Sequence, residues 1–544
     1  MKPTLTGRPS SAPSSKDLAG VRYLPLRLTL STPYFIYQIS TKENSVTYEV
    51  QHFINGVEVA SAGTERQDIF NPATGETIGS LHLGGATELE AAVAAAKTAS
   101  ETWRELSLAK RTSILFKFRE LLVANTDELA ELVVREHGKV LSDAKGEIAR
   151  GQEIVEYACG ITNLISGAYT PQAATGIDAF SIRQPLGIVA GITPFNFPVM
   201  IQLWMAPIAI AAGNTFILKP SERDPGAANF IAKLWKEAGL PDGVFNVLHG
   251  GKEMVDGLLN HKDIDGVSFV GSTPIAQYVH ETATKNGKRV QALGGAKNHA
   301  LIMPDANMDV VADHLTAAAF GAAGQRCMAI SVAVAVGEAA DIVVERVAAK
   351  AREVKVANGM DAGADMGPLI TPASRDRVKR IITEAEADGA AIVVDGRDIL
   401  VEDHENGYFV GPTLIDNVKR EMSAYAEEIF GPVLVVVRVD SLEEGIEVIN
   451  SNPFGNGTCI FTDSGYAARK FTRDIKVGMV GVNVPLPVPL ANHSFGGWND
   501  SLFGEHHIYG EDGLRFYTRN KAVTQRFPER KDLSATSFNF ESRN

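Results

Sequence analysis

Between Gly187 and Gly271 short apolar runs alternate with helix-like stretches, and this rhythm constrains the fold more than any other feature of the chain. Residues 187–192, 214–218, 244–248 and 266–270 read as strands, and residues 224–239 and 274–286 as helices between or after them. Strands separated by helices assemble into a parallel, doubly wound sheet, so the fold class is α/β. Upstream, residues 50–59 read as a hairpin around Asn55-Gly56. Residues 87–106, 109–137 and 131–159 carry apolar side chains at helical spacing. A second α/β region runs from about Asn298 to Val482, with a helix over 306–324 and strands at 330–336 and 433–439. Residues 483–490 contain three prolines and cannot form a central strand. The tail after Phe527 is polar.

A chain of 544 residues has room for two or three domains. Its formal net charge of -13 argues against a nucleic-acid partner or an anionic membrane surface. The 3 cysteines, Cys159, Cys327 and Cys459, form no disulfide framework and show no metal-ligand spacing, which points to a reducing compartment and no bound metal. No apolar run is long enough to span a membrane. In the first forty residues Lys2, Arg8, Lys16, Arg22 and Arg27 face only Asp17. This extension, residues 1–46, reads as disordered, as transit-peptide-like or as upstream sequence, and is set apart from the fold.

Cys327 lies among small residues in Phe320-Gly-Ala-Ala-Gly-Gln-Arg-Cys-Met328. Arg326 and nearby backbone donors would favour its thiolate, making it a candidate nucleophile; the alternative is a buried structural cysteine. No GxGxxG follows any strand, but three other motifs stand at strand ends: Thr193-Pro-Phe-Asn-Phe-Pro198, Leu218-Lys-Pro-Ser-Glu-Arg223 and Phe269-Val-Gly-Ser-Thr273. Lys219 and Glu222 suit ribose hydroxyls or form a plain ion pair. Ser272 opens a helix, where it meets a pyrophosphate or merely caps. Asn196 offers an amide to an oxyanion or satisfies a turn.

Together with Glu427-Glu-Ile-Phe-Gly-Pro432, these motifs resemble the aldehyde dehydrogenase superfamily, in the expected order over about residues 47–525. The resemblance implies a Rossmann-type NAD-binding domain (47–168 and 185–293), an α/β catalytic domain (294–482) and a small β oligomerisation element (169–184 and 483–527), followed by a tail (528–544). It implies Cys327 as nucleophile and Asn196 with the Cys327 amide as oxyanion donors. Thr193, Phe195, Lys219, Glu222, Arg223, Ser272, Glu428 and Phe430 become cofactor contacts. Glu222 would repel a 2′-phosphate and so favours NAD over NADP, while Arg223 beside it argues the other way.

Most hydrolytic members carry a glutamate directly before Leu-Gly-Gly; here Ala292 occupies that position in Val290-Gln-Ala-Leu-Gly-Gly295. Without a base, water is a poor acceptor for an acyl-enzyme, whereas a thiol needs no such help. Coenzyme A is then the acceptor, and the wording around Cys327, Lys219 and Asn298 resembles the CoA-acylating methylmalonate-semialdehyde dehydrogenase subfamily. That resemblance implies Arg150 and Arg326 as a pair gripping a substrate carboxylate; on residues alone Arg150 reads as a solvated or salt-bridged helix side chain. It also implies loss of carbon dioxide from the thioester, giving propionyl-CoA from methylmalonate semialdehyde and acetyl-CoA from malonate semialdehyde. A homotetramer in the cytoplasm is expected, with the mitochondrial matrix as the alternative compartment. Valine, pyrimidine and inositol breakdown all remain open as the setting. The competing reading is a CoA-independent hydrolytic aldehyde dehydrogenase of broader substrate range.

Overall fold

The computed structural model describes residues 48–527, so the expectations for residues 1–46 and 528–544 lie outside the described residues. An eight-stranded sheet runs in the spatial order Leu502–Phe503, Arg289–Leu293, Gly266–Val270, Ile188–Ile192, Thr215–Lys219, Phe245–Val247, His52–Ile54 and Val57–Val59. The five strands from Arg289–Leu293 to Phe245–Val247 are parallel. Chain order reverses between Ile188–Ile192 and Gly266–Val270, which opens a crevice at the carboxyl ends of these two strands. Thr193 and Ser272 flank that crevice.

The expected hairpin forms: His52–Ile54 pairs antiparallel with Val57–Val59, and Asn55 and Gly56 turn at φ 52° and 78°. These left-handed values are what a two-residue hairpin turn requires. The stretch 109–137 is two helices, Leu108–Ala124 and Thr126–His137, which meet at Asn125. The next helix, Leu141–Cys159, is cut off from them by Gly138 at φ 88°. A helix absent from the sequence expectation, Met200–Ala211, has every residue buried. Being apolar all round, it carries no periodic signal. It packs on Leu141–Cys159 at Gly151, where an added Cβ would stand 2.8 Å from Leu203 Cδ1.

A seven-stranded sheet holds Ala391–Val394, Thr413–Asp416, Val433–Val439, Ile330–Val336, Asn298–Ile302, Gly457–Phe461 and Met479–Val482, all parallel except the first. The expected strands at 330–336 and 433–439 are found in it, while the helix expected over 306–324 ends at Phe320, and Gly321–Gly324 is a separate turn with Ala322 and Ala323 in the left-handed region. Residues 483–490 form no strand. A third sheet joins Tyr169–Ala174 and Ile177–Pro185 to Thr518–Arg526, with Thr518 opposite Pro185 and Arg526 opposite Ile177. Leu502–Phe503, by contrast, sits on the edge of the eight-stranded sheet. Among the described residues no helix is long and apolar enough to cross a membrane.

Candidate active site

The segment that carries Cys327 is strained and then pinned. Ala322 and Ala323 lie at φ 50° and 51°, each costing about 1–2 kcal/mol relative to a right-handed residue. Gly324 follows at φ +69°, and a Cβ there would meet the Gly431 carbonyl at 2.0 Å. Asp143, on the Leu141–Cys159 helix, accepts the Ala322 amide at 3.0 Å and pairs with the Arg326 guanidinium. The side-chain oxygen of Gln325 accepts the Ile370 amide at 3.1 Å.

Two asparagines hold the main chain of the nucleophile itself. Asn298 Nδ2 donates to the Cys327 carbonyl at 2.8 Å, and Asn456 Nδ2 donates to the same oxygen at 3.1 Å. They stand at the entrances of the neighbouring strands Asn298–Ile302 and Gly457–Phe461. Neither has a role in the sequence reading. The available signal was an amide side chain at a strand mouth, where it competes for nearby backbone groups.

Cys327 is half-buried, whereas Cys159 and Cys459 are buried. Desolvation pushes the Cys327 thiol up to about 12, and the Glu428 carboxylate adds to the effect; the Cys327 and Met328 amides and Arg326 pull the other way. The expected lowering by Arg326 and backbone donors is therefore outweighed: taking a thiolate out of water costs more than these donors return.

Arg326, Cys327, Glu428 and Phe430 line one cleft. Glu428 accepts the Ala296 amide at 2.9 Å, and burial raises its pKa. Its loop is held from below. Lys297 Nζ donates to the carbonyls of Ala424 and Glu427 at 2.8 and 2.6 Å, and Arg377 donates to those of Glu428 and Ile429. Phe430 stands edge-on to Phe195, ring centres 5.9 Å apart, which joins the Thr193-Pro-Phe-Asn-Phe loop to the cleft wall. On that loop Asn196 is 2% exposed, and its Nδ2 has no hydrogen-bond partner among the described residues. A buried amide donor left unpaired is costly and marks a place where an acceptor is meant to arrive.

The remaining expected cofactor contacts gather at the crevice. Thr193 is buried; its amide donates to the Lys219 carbonyl at 3.1 Å, and its hydroxyl has no partner among the described residues. Lys219 pairs with Glu222 at the end of the adjoining strand. Ser272 is exposed and precedes the helix Thr273–Lys285 without capping it by its side chain. The neighbouring Thr273 hydroxyl accepts the Gly295 amide at 2.8 Å, and a Cβ at Gly295 would meet Glu428 Oε2 at 2.6 Å. Arg223 is exposed, its amide on Ser221 Oγ.

Arg150 is salt-bridged to Glu153 at 2.8 Å and donates to the Val488 carbonyl at 3.1 Å. Both arginines expected to grip a carboxylate thus already face a carboxylate of the Leu141–Cys159 helix. Next to Val488, the Pro489 carbonyl accepts the hydroxyl of the buried Tyr509 at 2.8 Å.

The strand Arg289–Leu293 ends in two apolar residues that face opposite sides of the sheet. Ala292 packs in the apolar cluster of Phe269 and Ile192, whereas Leu293 joins the opposite-face cluster against which Cys327 packs. Successive residues of a strand point to opposite faces. Neither side chain is a proton acceptor, so this strand end offers no general base on either face.

Residues 59–523 match the Aldehyde dehydrogenase family. The chain is 54% identical over 494 residues to a malonate-semialdehyde dehydrogenase of Pseudomonas aeruginosa, covering 91% of this chain and 99% of that one. It is 48% identical over 505 residues to the rat mitochondrial methylmalonate-semialdehyde/malonate-semialdehyde dehydrogenase (acylating), covering 91% of this chain and 94% of that one. A candidate methylmalonate-semialdehyde dehydrogenase from Sinorhizobium meliloti, solved in complex with NAD, superposes with a TM-score of 0.89 at 50% identity, covering 90% of this chain and 100% of that one. With its doubly wound sheet, its cleft around Cys327 and this breadth of match, the chain belongs to the aldehyde dehydrogenase family.

Proposed function

We propose that this protein oxidises malonate semialdehyde and methylmalonate semialdehyde with NAD, builds a thioester on Cys327, and delivers the decarboxylated acyl group to coenzyme A. The names of the relatives support the substrate class. The observation that carries the choice of acceptor is the strand end Ala292-Leu293, which offers no carboxylate to activate water.

The residues at the crevice fit NAD: the unpartnered Thr193 hydroxyl, the free Ser272 hydroxyl and the Lys219–Glu222 pair are the donors and acceptors a dinucleotide needs. When bound, NAD supplies the hydride acceptor. Thr193, Phe195, Lys219, Glu222, Arg223 and Ser272 would hold its pyrophosphate and adenosine side, Glu428 and Phe430 its nicotinamide side. Glu222 beside Lys219 favours NAD over NADP.

The chain's own groups do the rest. Cys327 attacks the aldehyde carbonyl, and Asn196 Nδ2 and the Cys327 amide stabilise the resulting oxyanion. Arg326 and Arg150 hold the distal carboxylate, which lies beta to the carbonyl once the thioester has formed. Loss of carbon dioxide leaves an enolate on the thioester oxygen, stabilised by the same two donors. After protonation, the thiol of coenzyme A displaces Cys327 by exchange between thioesters, a step nearly balanced in energy.

A second reading draws on Glu428, the carboxylate whose field reaches the Cys327 thiol. Glu428 could activate water and give a CoA-independent hydrolytic enzyme. Incubation with malonate semialdehyde and NAD, with and without coenzyme A, separates the two. The first reading expects acyl-CoA and carbon dioxide only when coenzyme A is present; free acid at equal rate in its absence overturns it.

The same reading assigns residues 47–168 and 185–293 to NAD, 294–482 to the nucleophile, and 169–184 with 483–527 to assembly. A homotetramer in the cytoplasm is the state it favours, and sedimentation tests the assembly. The rat relative's mitochondrial location keeps the matrix as the second compartment.

A further inference from the structure

Lys139 and Glu147 form an ion pair with both side chains fully buried, Nζ to Oε2 at 2.6 Å. Such a pair is a poor means of gaining stability, because the desolvation of two charges often exceeds their attraction, and apolar replacements of similar size are commonly tolerated. Its contacts point elsewhere. Lys139 Nζ donates to the carbonyl of Asn196 at 2.7 Å and lies 4.4 Å from the ring centre of Phe197. Glu147 Oε1 accepts the amides of Val199 and Met200 at 2.8 and 3.1 Å, at the start of the helix Met200–Ala211. The main chain from the Asn196 carbonyl to the Met200 amide is therefore gripped by one pair of charges, while the Asn196 side-chain amide is left without a partner among the described residues.

We propose that the Lys139–Glu147 pair positions the Asn196 amide for the oxyanion: two positioning residues that touch neither substrate nor cofactor and act through the main chain of 196–200. This rests on the reading of Asn196 as an oxyanion donor. Lys139 stands just before the Leu141–Cys159 helix and Glu147 two turns into it, so the grip is referenced to the same helix whose Asp143 holds the Cys327 segment through Ala322 and Arg326. Nucleophile and oxyanion donor are thereby set against one rigid element. Charge-assisted hydrogen bonds to main-chain groups are short and directional, which suits the tolerance of a fraction of an ångström that such a donor must meet.

The test compares wild type, Lys139→Met/Glu147→Gln, Asn196→Ala and the combined triple variant. The readouts are the pre-steady-state burst of NADH with malonate semialdehyde, the KM for that aldehyde, and the thermal midpoint. The charge-removing variant keeps an acceptor for the Val199 and Met200 amides. Its burst falls about 10- to 100-fold with KM changed less than about threefold, and its thermal midpoint stays near wild type. Asn196→Ala lowers the burst by about 100-fold, and the triple variant falls no further. A merely structural pair would give losses that multiply in the triple variant, or a burst unchanged in the first, with Asn196→Ala still impaired; either result overturns the proposal and leaves the oxyanion reading intact. An unimpaired Asn196→Ala overturns both. If the Met/Gln protein does not fold, Lys139→Gln/Glu147→Gln, whose amides can still bridge, is judged by the same non-additivity with Asn196→Ala.

Discussion

Asp143 holds Arg326 by an ion pair in which the aspartate side chain is 24% exposed and the arginine 18%. A substrate carboxylate that uses the same guanidinium must share it. Asp143→Asn keeps an acceptor for the Ala322 amide but removes the competing charge, so the KM for malonate semialdehyde should fall about threefold. Arg326→Lys, which loses the planar fork, should raise it at least about tenfold. Steady-state kinetics at fixed ionic strength check both.

The thiol of Cys327 should be sluggish in the free protein. With its pKa pushed up to about 12, the rate of alkylation by iodoacetamide should climb with pH up to the limit of stability, without a plateau near pH 8. The carboxylate of Glu428 disfavours the thiolate, so Glu428→Gln should alkylate faster than wild type at every pH. An alkylation rate already at its plateau by pH 8 contradicts the burial argument.

Where a base is installed matters. Ala292→Glu restores the residue that most hydrolytic members carry before Leu-Gly-Gly and should yield free acid without coenzyme A, about 10²-fold above wild type. Leu293→Glu buries the same charge in the apolar cluster that holds Val270 and Met328 and should instead cost on the order of 3 kcal/mol of stability with no gain in hydrolysis. Product mass spectrometry and thermal unfolding separate the two outcomes.

His299 gives a pH dependence whose sign is fixed. Burial lowers its pKa from 6.5 to about 3, so below pH 6.5 the unfolded chain takes up a proton that the folded chain refuses. Its stabilising contribution is complete above pH 6.5 and is lost progressively as pH falls toward 3. From pH 7 to 5 the loss is about 2 kcal/mol. Glu136, raised from 4.5 to about 7, acts in the opposite direction over part of the same range. The measurement is therefore the urea midpoint of wild type against His299→Gln at both pH values; the variant should lose less on acidification.

The parallel strands were legible because each is a short apolar run closed by Gly, Pro or a polar cluster, and the hairpin because Asn55-Gly56 states its turn type. Met200–Ala211 was not, since a helix buried on every side has no polar stripe to mark its period. The residues of the site were legible where a motif is local, as around Cys327 and Asn196. What surrounds them was not. Asn298 reaches Cys327 across 29 residues of chain, Asn456 across 129, and Asp143 reaches Arg326 across 183. The ionisation of Cys327 misled for a related reason: its sequence neighbours are a cation and amides, but the environment that dominates is the packing contributed by the rest of the fold.

The two amides on the Cys327 carbonyl also limit what the nucleophile can do during turnover. With its main chain anchored from two neighbouring strands, the only heavy-atom freedom left to this side chain is rotation about Cα–Cβ. Carrying an acyl group from the place where it is oxidised to the place where an incoming thiol can reach it must then be a swing on a fixed pivot, with an arc set by the Cα–Cβ torsion and, once the acyl group is attached, by the Cβ–Sγ torsion.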